Sequence, residues 1–197
     1  MRRSLVYRSI PLYRLVMNVL YAGGYRRRFQ RLLDRLGDDV HSVCELCFGD
    51  TLLADGCRAR GITWIGLDVN HGFCERARRQ GHDAREGDLR VLEFPPADVY
   101  VMAGSLYHFH EDLGWLLARV LASSRRFVLS EPVRNLSSTA GVLGKWAARS
   151  ANPGTGDAGF RYDEQTLLHA LREQRARLGF QLEVVSRHRD IIVEMRH

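Results

Sequence analysis

Three short stretches of this 197-residue chain set acids beside the turns that could bring them to a ligand. The first is Glu45-Leu46-Cys47-Phe48-Gly49-Asp50-Thr51, an acid leading into a loop that carries a glycine. The second, Gly66-Leu67-Asp68-Val69-Asn70, and the third, Glu86-Gly87-Asp88-Leu89, each end a run of residues in an acid. A carboxylate closing the second strand of a parallel sheet is the usual partner of ribose hydroxyls, because it accepts both protons at once. A glycine after the first strand lets backbone approach the ligand. A nucleoside-type ligand follows. Taken alone, Asp68 would serve equally well as the N-cap acid of the next helix; its coincidence with Asp88 and with the chain's closing hairpin favours the ligand.

The elements that must position these loops are legible in the apolar pattern. Val6, Ile10, Tyr13, Met17 and Leu20 recur at three- and four-residue spacing, which predicts an amphipathic helix over 4–22 with a start near Pro11. Gly23-Gly24 ends it, and Tyr25 to Leu36 reads as a second helix with Phe29, Leu32, Leu33 and Leu36 inward and a four-arginine outer face. From Val40 short strands alternate with helices, the signature of right-handed crossovers on a parallel sheet. Strands are expected at 41–46, 63–69, 83–86, 99–103 and 126–130, with helices at 52–60, 73–80 and 113–122. Asp163 caps a further helix to Arg177, and runs 181–187 and 191–196 close the chain as a β-hairpin. Residues 1–38 are thus read as a basic helical segment and 39–197 as a single α/β domain, with a substrate-side insertion at 133–160 that includes Trp146 and a glycine-rich stretch.

At this point the sequence resembles the class I S-adenosylmethionine-dependent methyltransferases. Met102-Ala103-Gly104-Ser105-Leu106-Tyr107-His108-Phe109 looks like that family's fourth-strand segment. Phe160-Arg161-Tyr162-Asp163-Glu164-Gln165-Thr166-Leu167 and Leu178-Gly179-Phe180 look like its late helix and approach to strand six, and the antiparallel terminal hairpin is the family's distinguishing end. The resemblance covers most of 40–132 and 159–197. It implies a Rossmann-like, mostly parallel seven-stranded sheet and S-adenosylmethionine as cofactor. Glu45, Leu46 and Gly49 would meet the methionine part, Asp68 with Val69 the ribose, and Asp88 with Leu89 the adenine, with Gly104 and Ser105 also at the cofactor. In one respect the sequence departs from the family: two of the first loop's usual glycines are Cys47 and Thr51, and a side chain there can block an unusual backbone angle.

The reaction implied is in-line transfer of the sulfonium methyl to a small, amphipathic metabolite, where the protein mainly aligns and, for a hydroxyl nucleophile, supplies a base. His108 is the candidate base, titrating near 6.5 when unperturbed, and Tyr107 would orient substrate or cofactor. Glu131, ending the fifth strand, faces the same cleft as a second-rank candidate. Two other readings stand beside this one: an RNA methyltransferase, and a non-catalytic protein with the same fold. A nicotinamide-dinucleotide site is disfavoured, since no Gly-x-Gly-x-x-Gly follows the first strand.

Charge bears on the acceptor. Residues 1–35 hold nine arginines against the single acid Asp34, whereas residues 36–197 hold 20 basic and 22 acidic residues. The main body therefore lacks the broad positive field of a nucleic-acid binder, and the basic segment, with Tyr7, Tyr13, Tyr21 and Tyr25, is suited either to cap the cleft or to lie on an anionic membrane surface. The stretch 10–22 is interrupted by Arg14 and Asn18, so it is no membrane span, and Arg8 and Arg14 break any signal-peptide core. Cys44 and Cys47 have the spacing of a metal or redox pair, but on a strand they point to opposite faces, and His108 and His110 have no third ligand. Free thiols in the cytoplasm and no metal are expected.

Overall fold

The computed structural model describes residues 10–21, 23–133 and 160–197, with side chains described from Arg14 onward apart from Leu20. The expected insertion, apart from its end residues, lies outside the described residues. Elements follow in the order α1 (Ile10–Leu20), α2 (Tyr25–Leu33), β1 (Ser42–Leu46), α3 (Leu52–Ala59), β2 (Thr63–Asp68), α4 (His71–Arg79), β3 (Asp83–Glu86), β4 (Val99–Ala103), a 3-10 turn (Leu106–Phe109), α5 (Leu113–Ser123), β5 (Arg126–Pro132), α6 (Glu164–Leu178), β6 (Gln181–Arg187) and β7 (Asp190–Arg196). From α2 onward the strands and α-helices agree with the sequence pattern to within a few residues at their ends; the 3-10 turn falls where the pattern predicts no element, and α1 is described only from Ile10.

The strands form one seven-stranded sheet in the order β3-β2-β1-β4-β5-β7-β6. β1 to β5 are parallel, and β7 runs antiparallel between β5 and β6, with a bulge in β6 at Val184–Ser186. The chain builds outward from β1 in one direction and then, from β4, in the other, so the strand order reverses between β1 and β4. In open α/β sheets the crevice beyond the carboxyl ends at that reversal is where ligands bind.

Alternation along each strand divides the core into two layers. Val43, Trp64, Ala84, Val99, Val101, Val128 and Ile192 face α1 to α4, while Leu46, Leu67, Met102, Phe127, Leu129 and Val193 face α5 and α6. The two N-terminal helices belong to this core: Val16, Tyr21, Tyr25, Phe29, Leu32 and Leu33 are all buried in the first layer. Gly56 on α3 lets α2 come close, since a Cβ there would sit 2.2 Å from a Leu33 methyl.

The expected outer face of α2 needs one correction. Arg26, Arg27 and Arg31 are exposed, but Arg28 is 5% exposed and points into the protein. Its position is three after Tyr25, one before Phe29 and four before Leu32, all buried, so the helical period itself places it inward.

Local chemistry sets the helix ends nearest the site. Asn70, not Asp68, caps α4, its side chain accepting from the Gly72 and Phe73 amides at 2.9 and 3.3 Å. Asp163 caps α6 in a reciprocal box with Thr166, and Gly179 ends that helix at φ 75.

Candidate active site at the strand ends

Asp68 closes β2 at the reversal in strand order. It is 6% exposed, and its Oδ2 accepts the Gly49 amide at 3.1 Å while Oδ1 accepts the Asn70 amide at 2.7 Å. The Val69 amide adds a third donor. An ionised carboxylate has about four acceptor positions, so roughly one remains for a ligand hydroxyl. Burial raises its pKa to about 6, against the opposing pull of those amides. Asp68 is thus tied directly to the loop after β1 and still has acceptor capacity, which fits the ribose of a nucleoside-type cofactor.

That loop carries the strain foreseen for one of its two missing glycines. Cys47 is, among the described residues, the one non-glycine with positive φ, at 52, and Gly49 follows at φ 60. The left-handed region costs an L side chain free energy that glycine does not spend. Thr51 sits at φ −90, ordinary backbone where glycine has no advantage. Cys47 lies within electrostatic reach of Asp68, Asp88, Glu45 and Glu131, and desolvation first, then these carboxylates, pushes its thiol well above the usual range. Burial likewise raises Cys44 to about 12. Both are neutral thiols, poor metal ligands, and among the described residues no three His, Cys, Asp or Glu side chains cluster as a metal site would need.

Glu45 is fully buried, on the layer that faces α1 to α4. Its Oε2 accepts the Trp64 indole N–H at 2.9 Å, and burial first pushes its pKa well up. Its Oε1 is enclosed without a hydrogen-bond partner. Gly66, its neighbour on β2, has no room for a Cβ because the Trp64 ring lies 2.1 Å from that position. Leu46 is fully buried in the opposite layer.

At the third loop Asp88 is half exposed and accepts the Arg90 amide at 2.9 Å, and Leu89 is buried. Val69, by contrast, is 55% exposed. An open carboxylate beside a buried leucine is suited to the polar edge and flat face of a base.

After β4, Gly104 adopts φ 72 and its amide donates to the Ser130 carbonyl at 2.8 Å. A Cβ there would lie 2.8 Å from the Arg28 guanidinium, so the glycine makes room for that arginine. Ser105 leads into the 3-10 turn, accepting the His108 amide at 3.2 Å. The turn presents Tyr107 and His108 side by side, rings 4.0 Å apart. Arg161 lies 3.7 Å over the Tyr107 ring, and His110 donates to the Tyr107 carbonyl at 2.9 Å while stacking on Phe160. Burial raises the Tyr107 phenol to about 12.

The structure also assembles charges that the sequence did not group. Arg28 pairs with Asp190 at 2.9 Å, both buried, and its Nη2 donates to the Ser130 carbonyl at 2.6 Å. Tyr21 lies beneath Arg28 and Arg189, with their guanidinium carbons 5.2 and 5.4 Å from its ring centre. Glu131, 1% exposed, accepts the Leu106 amide at 3.1 Å. Arg14 on α1 makes a two-pronged contact with Asp50, 2.9 and 2.7 Å, which fastens that helix to the loop after β1.

Comparison with known proteins places this geometry. No protein-family model and no curated protein matches the sequence. Solved structures do match. Magnesium protoporphyrin IX methyltransferase from Synechocystis PCC 6803, with bound S-adenosylhomocysteine, is 19% identical with a TM-score of 0.62, covering 88% of this chain and 84% of that one. Human N-acetylserotonin methyltransferase, in complex with S-adenosylmethionine, is 17% identical with a TM-score of 0.64. That match covers 97% of this chain and 57% of the human one. An O-methyltransferase family 2 protein from Planctomyces limnophilus, in complex with apigenin, is 16% identical with a TM-score of 0.64, covering 100% and 62%. The chain has the class I methyltransferase fold.

Proposed function

We propose that this protein is an S-adenosylmethionine-dependent methyltransferase acting on a small molecule. The observation that carries the reading is Asp68: a buried carboxylate at the end of β2, bonded to the glycine loop of β1, at the reversal of strand order in a methyltransferase fold. S-adenosylmethionine would supply a methyl group already activated on sulfur, open to in-line attack. Asp68 would accept a ribose hydroxyl, Leu89 pack on the adenine and Asp88 meet its polar edge. Gly49 would give backbone access near the methionine part. Glu45, buried and bonded to Trp64, would shape the loop from beneath. Tyr107 and His108 would face the transferred methyl, Tyr107 to orient and His108 to take a proton from a hydroxyl nucleophile. The similar solved structures, whose names carry magnesium protoporphyrin IX, N-acetylserotonin and a complex with apigenin, support a small-molecule acceptor.

The N-terminal helix suggests where such an acceptor is met. Leu15 and Val19, four apart on α1, are 60% and 46% exposed, next to the arginine-rich start of the chain. We assign this face a peripheral contact with anionic lipid, suited to an amphipathic substrate. No helix among the described residues is long and apolar enough to cross a membrane, and the four free cysteines agree with a reducing cytoplasm.

A second reading, a non-catalytic protein with this fold, is favoured by the strained Cys47 alone. Calorimetric titration with S-adenosylmethionine and S-adenosylhomocysteine separates the two. Binding near micromolar, about −8 kcal/mol, is expected, weakening about ten- to a hundredfold in Asp68→Asn through loss of a charge-assisted bond. A folded protein that binds neither compound would establish the non-catalytic reading.

A further inference from the structure

Glu131, the last residue but one of β5, lies beneath the 3-10 turn that carries Tyr107 and His108. Its Oε2 accepts the Leu106 amide at 3.1 Å, and the Tyr107 amide adds a second bond. Both donors belong to the first turn of that short helix, whose amides have no partners within it; among the described residues Ser105, at its start, makes no side-chain cap. The carboxylate therefore supplies from another strand the cap that the turn lacks. At 1% exposure it is too deep to serve as a base meeting substrate directly.

The charges around it are out of balance. Arg28 reaches in from α2, Asp190 stands on β7, and the polar groups of Tyr21, Tyr107, Tyr162 and Cys47 complete the surroundings. Arg28 already gives its Nε to Asp190 at 2.9 Å and its Nη2 to the Ser130 carbonyl. Arg189, just before Asp190, lies over the same Tyr21 ring as a second cation but is only half-buried; two buried acids thus share one fully buried cation, and a second full negative charge is expensive to hold there. Burial, opposed by Arg28 and the two amides, raises Glu131 to about 7.

We propose that Glu131 is a positioning residue that holds the Leu106–Phe109 turn, and with it Tyr107 and His108, through its carboxylate, and that protonation loosens this hold. The chemistry balances simply: one proton moves from solvent to the Glu131 carboxyl, replacing two charge-assisted amide bonds by weaker neutral ones. The turn would then be set for methyl transfer above neutrality and relaxed below it. The proposal deepens the methyltransferase reading in its consequence, but its test needs no cofactor.

The test is a pH titration of the full chain, labelled with 15N and with 13C at glutamate Cδ, followed by NMR. The Glu131 Cδ and the Leu106 and Tyr107 amides are expected to move together with one midpoint near 7. In Glu131→Gln the two amides should lose that titration while the remaining spectrum stays folded. In Asp190→Asn, which removes the competing acid, the common midpoint should fall. Amides that do not move across neutral pH, or that move unchanged in Glu131→Gln, overturn the proposal. If Glu131→Gln does not fold, the wild-type curves decide: separate midpoints for the carboxyl and the amides also overturn it. Failure here with intact S-adenosylmethionine binding would leave the methyltransferase reading standing, and the reverse result would separate them the other way.

Discussion

Cys47 shows how a single side chain can weigh on a whole site. Its backbone takes φ 52, a conformation that costs a non-glycine residue roughly 1–3 kcal/mol, and it does so between Leu46, locked in the core, and Gly49, bonded to Asp68. Cys47→Gly should raise the unfolding free energy by about 1 kcal/mol in urea titrations, after the entropy that glycine loses on folding. The same change should tighten S-adenosylmethionine binding; a loss of affinity would show that the thiol is a ligand contact rather than a burden. The sequence exposed the departure from glycine at 47 and at 51 alike. Only the backbone angles separate the position where glycine matters from the one, Thr51 at φ −90, where it does not.

At the level of elements, α2 does more than precede the sheet, because Arg28 runs from it to β5 and β7. Arg28→Met should destabilise the fold by about 3–5 kcal/mol, since Asp190 is left buried without its partner, and this is measurable by urea denaturation. Gly104→Ala should be damaging for a related reason: its methyl would strike the Arg28 guanidinium at 2.8 Å. Arg14→Ala is expected to leave the sheet intact and release α1, seen as faster hydrogen exchange at Val16 to Tyr21 with unchanged protection in β1 and β4. The strands, the crossover helices and the capped α6 were legible because apolar period and cap residues are local signals, and the three acids of the candidate site were legible at their loop positions for the same reason. Residue type alone points Arg28 outward, whereas the helical period that it shares with Tyr25, Phe29 and Leu32 turns it in. The Arg14–Asp50 and Arg28–Asp190 pairs join residues 36 and 162 positions apart, and nothing local in the chain announces such partners.

For the molecule as a whole, buried acids set stability and function against each other. Asp68 at about 6 and Glu131 at about 7 both stand above their ordinary values. A raised acid favours the folded state most when neutral, so its contribution is complete below the unfolded pKa and is lost as pH rises through the folded one. Thermal stability should therefore increase as pH is lowered from above 7 toward 5. Below about 4 the trend should reverse, because Asp98, Asp163 and Glu194 are held low, Asp98 and Asp163 first by backbone amides and Glu194 by Arg126 and Arg196 against its burial. Cofactor affinity should move the other way across 7 to 5, since a protonated Asp68 is a poorer acceptor for a ribose hydroxyl. Calorimetric titration and thermal melts over the same pH series test both trends; parallel curves would remove Asp68 from the site. The indole beside Glu45 makes these events visible from within. Trp64 meets the Phe48 ring edge-on at 5.2 Å, one residue before Gly49 in the loop that Asp68 holds. With Trp115 and Trp146 replaced by phenylalanine, the protein would carry one tryptophan wedged under the loop after β1, and its emission, excited beyond the tyrosine band, would report S-adenosylmethionine binding there without any added label.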